Sequence, residues 1–284
     1  MNQKVWFITG ASKGLGLAIA KAVLANGDKV VATVRKNPEE LELTLDSEDN
    51  VLVVQLDVTR ENEVKEGVQE ALSKFGRVDV LVNNAGYGLL AATEEASDVE
   101  VRKQYETNVF GLLNVTRAVL PHMRNQKWGH IINTSSVFGY HASFPGFGIY
   151  GSTKFAVEGI SEGLALEVKP LGIHVTSVAP GLFSTNFAST DAYQLSEIKL
   201  DAYEETVGSV RDSIGKLHGN QQGDPAKLAQ VIITLAESKN PPLHLPIGKD
   251  AIAGFRTKTE QMEKEVDEWE VISGNTDHSL VIQQ

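Results

Sequence analysis

The stretch Lys4-Val-Trp-Phe-Ile8, followed by Thr9-Gly-Ala-Ser-Lys-Gly-Leu-Gly16, decides the fold of this 284-residue chain. The first part is a short apolar run typical of a buried strand. The second is a glycine-rich turn, and apolar residues at Leu15, Ile19 and Val23 continue it at helical spacing. Strand, glycine turn and helix in this order predict a nucleotide-binding unit, because glycines let the backbone approach a pyrophosphate and the new helix offers free N–H groups.

The rest of the chain alternates between strand and helix patterns. Apolar runs rich in Val and Ile predict strands at 4–9, 28–34, 51–56, 78–83, 129–135, 173–179 and 243–247. Helical patterns lie between them at 14–26, 61–75, 98–126, 150–169 and 224–238. This alternation predicts an α/β fold, a single doubly wound parallel sheet of about seven strands with helices on both faces.

Two segments stand apart from this alternation. Residues 186–222 follow Pro180-Gly181 at a strand end, and ligands of such sheets bind beyond the carboxyl ends of the strands. We therefore expect this insertion to form a helical lid over the substrate, with a packed pair of surface helices as the alternative. We take residues 1–250 as the domain and 251–284 as a C-terminal extension.

The extension has helical composition over residues 257–270. Met262, Val266 and Trp269 recur there at helical spacing and form a thin apolar stripe. This pattern predicts a helix that docks on the body of the protein or on a neighbouring subunit. We expect the last dozen residues, from Ser273, to be disordered.

Composition excludes several classes of function. The chain has no cysteine, so it has neither a disulfide framework nor thiolate chemistry, and its seven histidines show no metal-ligand spacing. The net charge of −11 argues against nucleic-acid binding, which needs clustered Lys and Arg. The chain opens directly into a strand and has no long apolar run. We therefore expect no signal peptide, no membrane span and a soluble cytoplasmic protein.

The segment Tyr150-Gly-Ser-Thr-Lys154 places a phenol and an ammonium one helical turn apart. A free tyrosine has a pKa of about 10, and a lysine cation nearby is expected to lower it. Such a phenol can donate and accept a proton at its working pH. Taken alone, the pair could equally be a half-buried tyrosine beside a lysine that extends to solvent.

Together these motifs resemble those of the short-chain dehydrogenase/reductase family, in its compact single-domain branch. That branch carries a Thr-Gly-x-x-x-Gly-x-Gly turn and a Tyr-x-x-x-Lys pair, and both are present here. Four further motifs occur in the family's order: Asn83-Asn-Ala-Gly86, Asn108, Ser135-Ser136 and Pro180-Gly-Leu-Phe-Ser-Thr185. The resemblance covers residues 4–250 and implies a Rossmann-type fold.

The resemblance also implies a catalytic set. Tyr150 would be the proton donor, and Lys154 would lower its pKa and bind the nicotinamide ribose. Ser136 would polarise the substrate oxygen. The adjacent Ser135 is the alternative, but the family usually places its serine slightly closer to the tyrosine. Asn108 would support a water that links Lys154 to solvent, although an asparagine at a helix kink can instead bond its own backbone.

The residues around the second strand favour NADP(H) over NAD(H). An NAD site places a carboxylate at the end of that strand, whereas Arg35 and Lys36 stand there in this chain. Arg35, together with Lys13 in the glycine turn, suits a 2′-phosphate. By resemblance, the cofactor would also contact Gly10, Ser12, Gly14, Leu15, Gly16, Asp57, Val58, Asn84, Ala85, Gly86, Tyr150, Lys154, Pro180, Gly181, Phe183 and Thr185.

The substrate is predicted to be a small hydrophobic carbonyl compound or alcohol. Phe138, Tyr140, His141, Phe144 and Phe147 form an aromatic loop, which would meet Phe183 and Phe187 in an apolar pocket or pack as core. The favoured function is an NADP(H)-dependent carbonyl reductase or alcohol dehydrogenase.

Two other functions remain open. One is an epimerase or dehydratase on the same scaffold, and the other is a non-catalytic NADP(H)-sensing protein. The resemblance of helices 98–126 and 150–169 to the family's contact helices implies a homodimer or homotetramer.

Overall fold

A computed structural model describes residues 3–46, 49–184, 193–217 and 221–278. Its strands are β1 (Val5–Ile8), β2 (Lys29–Val34), β3 (Val51–Gln55), β4 (Val80–Asn83), β5 (Gly88–Leu90), β6 (Gly129–Thr134), β7 (Ile173–Pro180), β8 (Tyr193–Leu195) and β9 (His244–Ile247). Seven of them form a parallel sheet in the order β3-β2-β1-β4-β6-β7-β9. The strand order reverses between β1 and β4, which is where such sheets bind ligands.

The helices are α1 (Gly14–Ala25), α2 (Pro38–Leu45), α3 (Glu61–Phe75), α4 (Asp98–Tyr105), α5 (Leu112–Gln126), α6 (Gly148–Val168), α7 (Ser209–Leu217), α8 (Pro225–Glu237) and α9 (Lys249–Ser273). Local sequence sets several of their ends. Ser97 and Glu100 form a capping box at the start of α4. Asp224 caps α8 ahead of Pro225, and Gly76 ends α3 in a left-handed conformation.

Helices cover both faces of the sheet, as the alternation predicts. On one face, α1, α2 and α8 pack through residues such as Ile19, Leu41 and Ile232. On the other face, α3, α5 and α6 pack through residues such as Val68, Val119, Met123, Leu164 and Val168. The doubly wound fold and its seven strands are therefore confirmed.

The structure also contains elements that the pattern did not predict. Helix α2 follows β2, and a small parallel sheet pairs β5 with β8. The helix expected over 98–126 is interrupted by a π-helical turn, Glu106–Gly111, between α4 and α5. The terminal helix, expected over 257–270, spans Lys249–Ser273.

The outer part of α9 makes little contact with the body. Met262, Val266 and Trp269 are 49%, 62% and 61% exposed, so the apolar stripe is not packed against the described part of the body. The helix continues through Ser273, where the sequence predicted disorder to begin, and residues 279–284 lie outside the described part of the chain. Among the described residues, no helix is long and apolar enough to cross a membrane.

The segment 193–217, within the predicted lid, is anchored by a buried carboxylate. Glu95 accepts hydrogen bonds from the backbone N–H groups of Ala92, at 2.8 Å, and Leu200, at 3.0 Å, and it forms an ion pair with Arg211 of α7. Both side chains of the pair are shielded from solvent. Burial alone would raise the pKa of Glu95, but these hydrogen bonds and the guanidinium hold its pKa below the usual value.

Removing the guanidinium should therefore destabilise the protein. We expect Arg211→Met to lower the free energy of unfolding by about 3 kcal/mol at pH 7, because it leaves the Glu95 carboxylate buried and unpaired. The pair of Arg102 and Asp98 supplies the control, since both side chains are exposed and Arg102→Met should leave the free energy of unfolding nearly unchanged. Denaturant titration measures both values.

The pH dependence gives a second check on the same pair. The pKa of Glu95 is depressed in the fold, so its contribution is present above the unfolded-state pKa of about 4.3 and is lost as the pH falls through the lower folded value. The two arginine variants should therefore converge in acid. Equal losses for both variants at pH 7 would contradict this account of the Glu95 site.

Candidate active site

A cavity of about 970 Å³ lies at the carboxyl ends of the central strands. It brings together segments that are far apart in sequence: the glycine turn after β1, the ends of β2, β3 and β4, the end of β6, the start of α6 and the turn after β7. Most of the predicted catalytic and cofactor-binding residues line this cavity. They are Gly10, Ser12, Lys13, Gly14, Leu15, Arg35, Asp57, Val58, Asn84, Ala85, Gly86, Ser136, Tyr150, Lys154, Pro180, Gly181 and Phe183.

Two of the predicted catalytic and cofactor-binding residues that the structure describes are not in the cavity wall. Gly16 and Asn108 lie behind it, where they support the glycine turn and Gly86 respectively. Thr185 lies outside the described residues, as does Phe187 of the predicted aromatic pocket.

The glycine turn is held against the end of β4 by a set of hydrogen bonds. Thr9 Oγ1 accepts from the backbone N–H groups of Asn84 and Ala85, each at 2.9 Å. The Asn84 amide donates to the carbonyl oxygens of Thr9, at 3.0 Å, and Gly10, at 3.1 Å. A Cβ on Gly16 would lie only 2.4 Å from Gly10 O, so the turn closes only with glycine there. This exposed backbone cradle at the start of α1 suits a pyrophosphate.

One end of the cavity carries positive side chains. Arg35 and Lys36 follow β2 and are exposed at the cavity, and Lys13 lies in the glycine turn. Within the described part of the chain, no carboxylate forms an ion pair with Arg35. Asp57 sits at the end of β3, where its Oδ1 accepts from both the backbone and the hydroxyl of Thr59.

Tyr150 and Lys154 leave the same face of α6 and are both buried. The Lys154 Nζ lies 5.8 Å from the centroid of the Tyr150 ring and donates to the carbonyl oxygen of Thr134 at 2.7 Å. Ser136 lies beside the phenol and hydrogen-bonds to it. A hydroxyl, a phenol and an ammonium therefore lie in the same part of the cavity wall.

Burial controls the protonation of this group. It raises the pKa of Tyr150 to about 12, and the hydrogen bond with Ser136 opposes the rise. Burial also lowers the pKa of Lys154 to about 8, while the charge of Glu158 opposes the fall. Desolvation of the phenol therefore sets the direction of the Tyr150 pKa shift, and the influence of the Lys154 ammonium on that pKa stays a prediction.

The two adjacent serines point in different directions. Ser136 caps a short 3₁₀ turn, Val137–Gly139, and its Oγ accepts from Phe138 N at 3.2 Å while it faces Tyr150. Ser135 also lines the cavity, but its hydroxyl is directed to the carbonyl oxygen of Lys154, at 3.4 Å. The geometry thus favours Ser136 as the serine that meets a ligand.

Asn108 lies in the π-helical turn, but its side chain does not bond to its own helix. Its Oδ1 accepts from Tyr87 N at 3.1 Å, and its Nδ2 donates to Tyr87 O and to Thr153 Oγ1. The idea of a kink asparagine bonding its own backbone is therefore wrong. Asn108 ties the segment after β4 to α6, one residue from Lys154.

The other end of the cavity is apolar. Phe138, Phe144, Phe147 and Phe183 line it, but Tyr140 and His141 do not: Tyr140 instead stacks on Phe255 of α9. Phe138 and Phe147 also belong to a buried cluster with Tyr150, so the loop serves as both wall and core. Several lining residues were not among the predicted site residues, namely Val137, Leu182, Ser209, Val210, Ser213, Ile214 and Gln221. Leu182 lies within the Pro180–Thr185 motif and the last five lie within the predicted lid segment, but neither pattern shows which of its side chains face the cavity.

Comparison with known proteins agrees with this geometry. A family model described as short chain dehydrogenase matches residues 4–195. The oxidoreductase BOA17 of Botryotinia fuckeliana is 40% identical over 272 residues, covering 95% of this chain and 98% of that protein. A 3-ketodihydrosphingosine reductase of Bacteroides thetaiotaomicron is 39% identical over 250 residues, covering 87% and 89%. The chain belongs to the short-chain dehydrogenase family and is an oxidoreductase.

Solved structures extend this comparison to the cofactor. A short-chain dehydrogenase from Streptomyces avermitilis superposes with a TM-score of 0.90 at 42% identity, covering 98% of this chain and 100% of that one. ElxO with NADP bound gives 0.72 at 32% identity, covering 89% and 100%. A Burkholderia phymatum relative in complex with NAD gives 0.80 at 25% identity, covering 93% and 95%. A nicotinamide cofactor therefore fits the glycine cradle.

The orientation of the serines generates a direct test. We expect Ser136→Ala to lower kcat/KM by about 10²-fold, because it removes a hydroxyl that faces the reacting group. Ser135→Ala is the matched control and should affect thermal stability more than turnover, since its hydroxyl bonds the backbone of α6. Steady-state kinetics of both variants show which serine acts on the substrate. A larger loss of kcat/KM in Ser135→Ala than in Ser136→Ala would assign the role to Ser135.

Proposed function

We propose that this oxidoreductase uses NADP(H) to reduce a ketone or aldehyde to an alcohol, or to run the reverse reaction, on a small hydrophobic substrate. The observation that carries the proposal is the convergence of Ser136, Tyr150 and Lys154 in the cavity that also contains the glycine cradle. When bound, the nicotinamide supplies or accepts the hydride. The protein then has to orient the substrate and move one proton.

The acid–base groups suit the reductive direction. With its pKa raised to about 12, Tyr150 is protonated at neutral pH and can donate to the developing alkoxide. Lys154 would stabilise the phenolate that this donation leaves, and its hydrogen bond to Thr134 O holds it in place. The hydroxyl of Ser136 would donate to the substrate oxygen. Asn108 would act behind them by supporting a water near Lys154.

The preference for NADP(H) rests on charge. Arg35 and Lys13 would supply the cations that a 2′-phosphate requires, and no acidic residue stands at the end of β2. The carboxylate of Asp57 would accept from the adenine amino group, and Val58 would cover the ring. The turn 180–185 would hold the nicotinamide.

The substrate end suggests a hydrophobic compound and a cover from the 193–217 segment. Phe138, Phe144 and Phe147 form one wall, and Val210 and Ile214 of α7 form another, which supports the lid proposal. The name of the Bacteroides relative indicates a 3-keto lipid base as one substrate to test.

We also propose a homodimer or homotetramer. Phe110 is 47% exposed, Phe155 is 46% exposed, and Gly159 and Gly163 have open space around them on α6, which would permit close helix packing.

A spectrophotometric panel tests the proposed reaction. Absorbance at 340 nm is followed with NADPH and then NADH against aromatic ketones, aliphatic ketones, aldehydes, ketosteroids and a long-chain 3-keto amine. We expect oxidation of NADPH to exceed that of NADH with at least one of them. If NADPH binds but no compound turns over, the sensing function or a narrower substrate range gains support.

Removal of the phenol tests the proton donor. We expect Tyr150→Phe to lower kcat by about 10²- to 10⁴-fold while the Kd for NADPH stays largely unchanged, because only the donated proton is lost. Tyr105→Phe is the matched control, since that phenol bonds Ser152 outside the cavity. Kinetics and calorimetric titration measure the two effects. Normal turnover in Tyr150→Phe would remove Tyr150 from its role.

Reversal of charge tests the cofactor preference. We expect Arg35→Asp to lower kcat/KM for NADPH by about 10- to 100-fold, because a charge-assisted hydrogen bond is replaced by repulsion, and to leave NADH nearly unaffected. Arg117→Asp makes the same change of charge on the exposed face of α5 and should leave the ratio unaltered. An unchanged ratio in Arg35→Asp would refute the charge argument.

A further inference from the structure

The first turns of α9 contact two separate parts of the cavity wall. One is the turn at residues 180–183, which follows β7. The other is the segment at residues 136–141, which carries Ser136. Helix α9 begins directly after β9, the edge strand beside β7, so its start lies at the same end of the sheet as the cavity.

The contact with the 180–183 turn is made by the carboxylate of Asp250. Leu182 N donates to Asp250 Oδ2 at 2.6 Å. A Cβ on Gly181 would lie 2.2 Å from both carboxylate oxygens, and a Cβ on Gly248 would lie 2.6 Å from Oδ1. The Asp250 carboxylate therefore occupies space that a side chain at position 181 or 248 would fill, and both positions are glycine. A second bond, from Gly181 N to Ile247 O at 2.9 Å, fixes the other side of the turn.

The contact with the 136–141 segment lies one turn further along α9. The Phe255 ring stacks on Tyr140 with centroids 4.1 Å apart and an interplanar angle of 11°. The Tyr140 hydroxyl and Thr259 Oγ1 are 3.0 Å apart. A Cβ on Gly254 would lie 3.0 Å from Val137 Cγ2, so the helix packs closely beside Ser136. The same helix thus braces the turn and the serine segment.

We infer that Asp250 is a positioning residue, which fixes the 180–183 turn in the conformation that receives the nicotinamide half of the cofactor. The inference rests on the proposed function, because it assigns that turn to the nicotinamide. Asp250 acts through the backbone N–H of Leu182 and through its packing against Gly181. It has no role in proton transfer, so it should affect cofactor binding before it affects chemistry.

Calorimetric titration of the full-length protein with NADPH tests this inference. We expect Asp250→Ala to raise the Kd and the KM for NADPH about 10-fold, while kcat at saturating NADPH changes much less, because a hydrogen bond to a charged acceptor is lost. Asp250→Asn should restore most of the affinity, because its amide oxygen can accept from Leu182 N–H. Asp267→Ala, on the exposed part of α9, is the matched control.

A double-mutant cycle separates a specific contact from general loss of structure. Gly181→Ala should weaken NADPH binding in the wild-type background and weaken it much less in Asp250→Ala, where the added methyl has room. If Asp250→Ala does not fold, the cycle is run with Asp250→Ser, whose shorter side chain also leaves room for the methyl, and additive effects there would contradict the contact.

A folded Asp250→Ala with the Kd and KM of the wild type would overturn the inference, as would a fall in kcat with no change in Kd. The Kd is measured without substrate, so failure of the ketone panel would defeat the proposed reaction and leave this result standing. A wild-type protein that does not bind NADPH would defeat both.

Discussion

The hydroxyl of Thr9 makes the interaction on which the site depends. It accepts hydrogen bonds from two backbone N–H groups at the end of β4. The Asn84 side-chain amide in turn donates two hydrogen bonds to carbonyl oxygens of the turn after β1. Thr9 is 1% exposed, so water does not compete for these hydrogen bonds. They lock the carboxyl ends of β1 and β4 together where the strand order reverses. Every other part of the cavity is placed relative to that junction.

Burial is the common cause behind the chemistry of the reacting groups. It favours the neutral form of each, so it raises the pKa of Tyr150 and lowers that of Lys154. Because the two pKa values move in opposite directions, the phenol keeps its proton at neutral pH and the lysine gives up its proton more readily than a free lysine does, which suits the distinct roles proposed for them. Glu158 and the Thr134 carbonyl offset part of the desolvation of Lys154. An acid and its stabilising cation can thus share one apolar wall.

Local patterns predicted the sheet well because buried parallel strands are short apolar runs between helices. They also located the glycine turn and the Tyr150–Lys154 pair, since both are defined by spacing within one element. What they missed depends on contacts between distant segments. Helix α2 is short and mostly polar, and β5 pairs with β8 across about a hundred residues. The partners of Asn108, the direction of the Tyr150 pKa shift and the contact of Asp250 with Leu182 follow only from tertiary packing and burial.

The cavity therefore combines two kinds of wall. Its cofactor side is built from turns at the ends of central strands, where a shifted hydrogen bond would disturb the sheet itself. Its substrate side is built from the 136–147 loop and α7, which are fastened to the body by a few specific contacts such as the Glu95–Arg211 pair. Changes of side chain on α7 can alter the shape of the apolar end without touching the β1–β4 junction. The groups proposed to transfer the proton, Tyr150 and Lys154, belong to α6 and line the same cavity as both walls, so substrate preference could change while the proposed reaction stays the same.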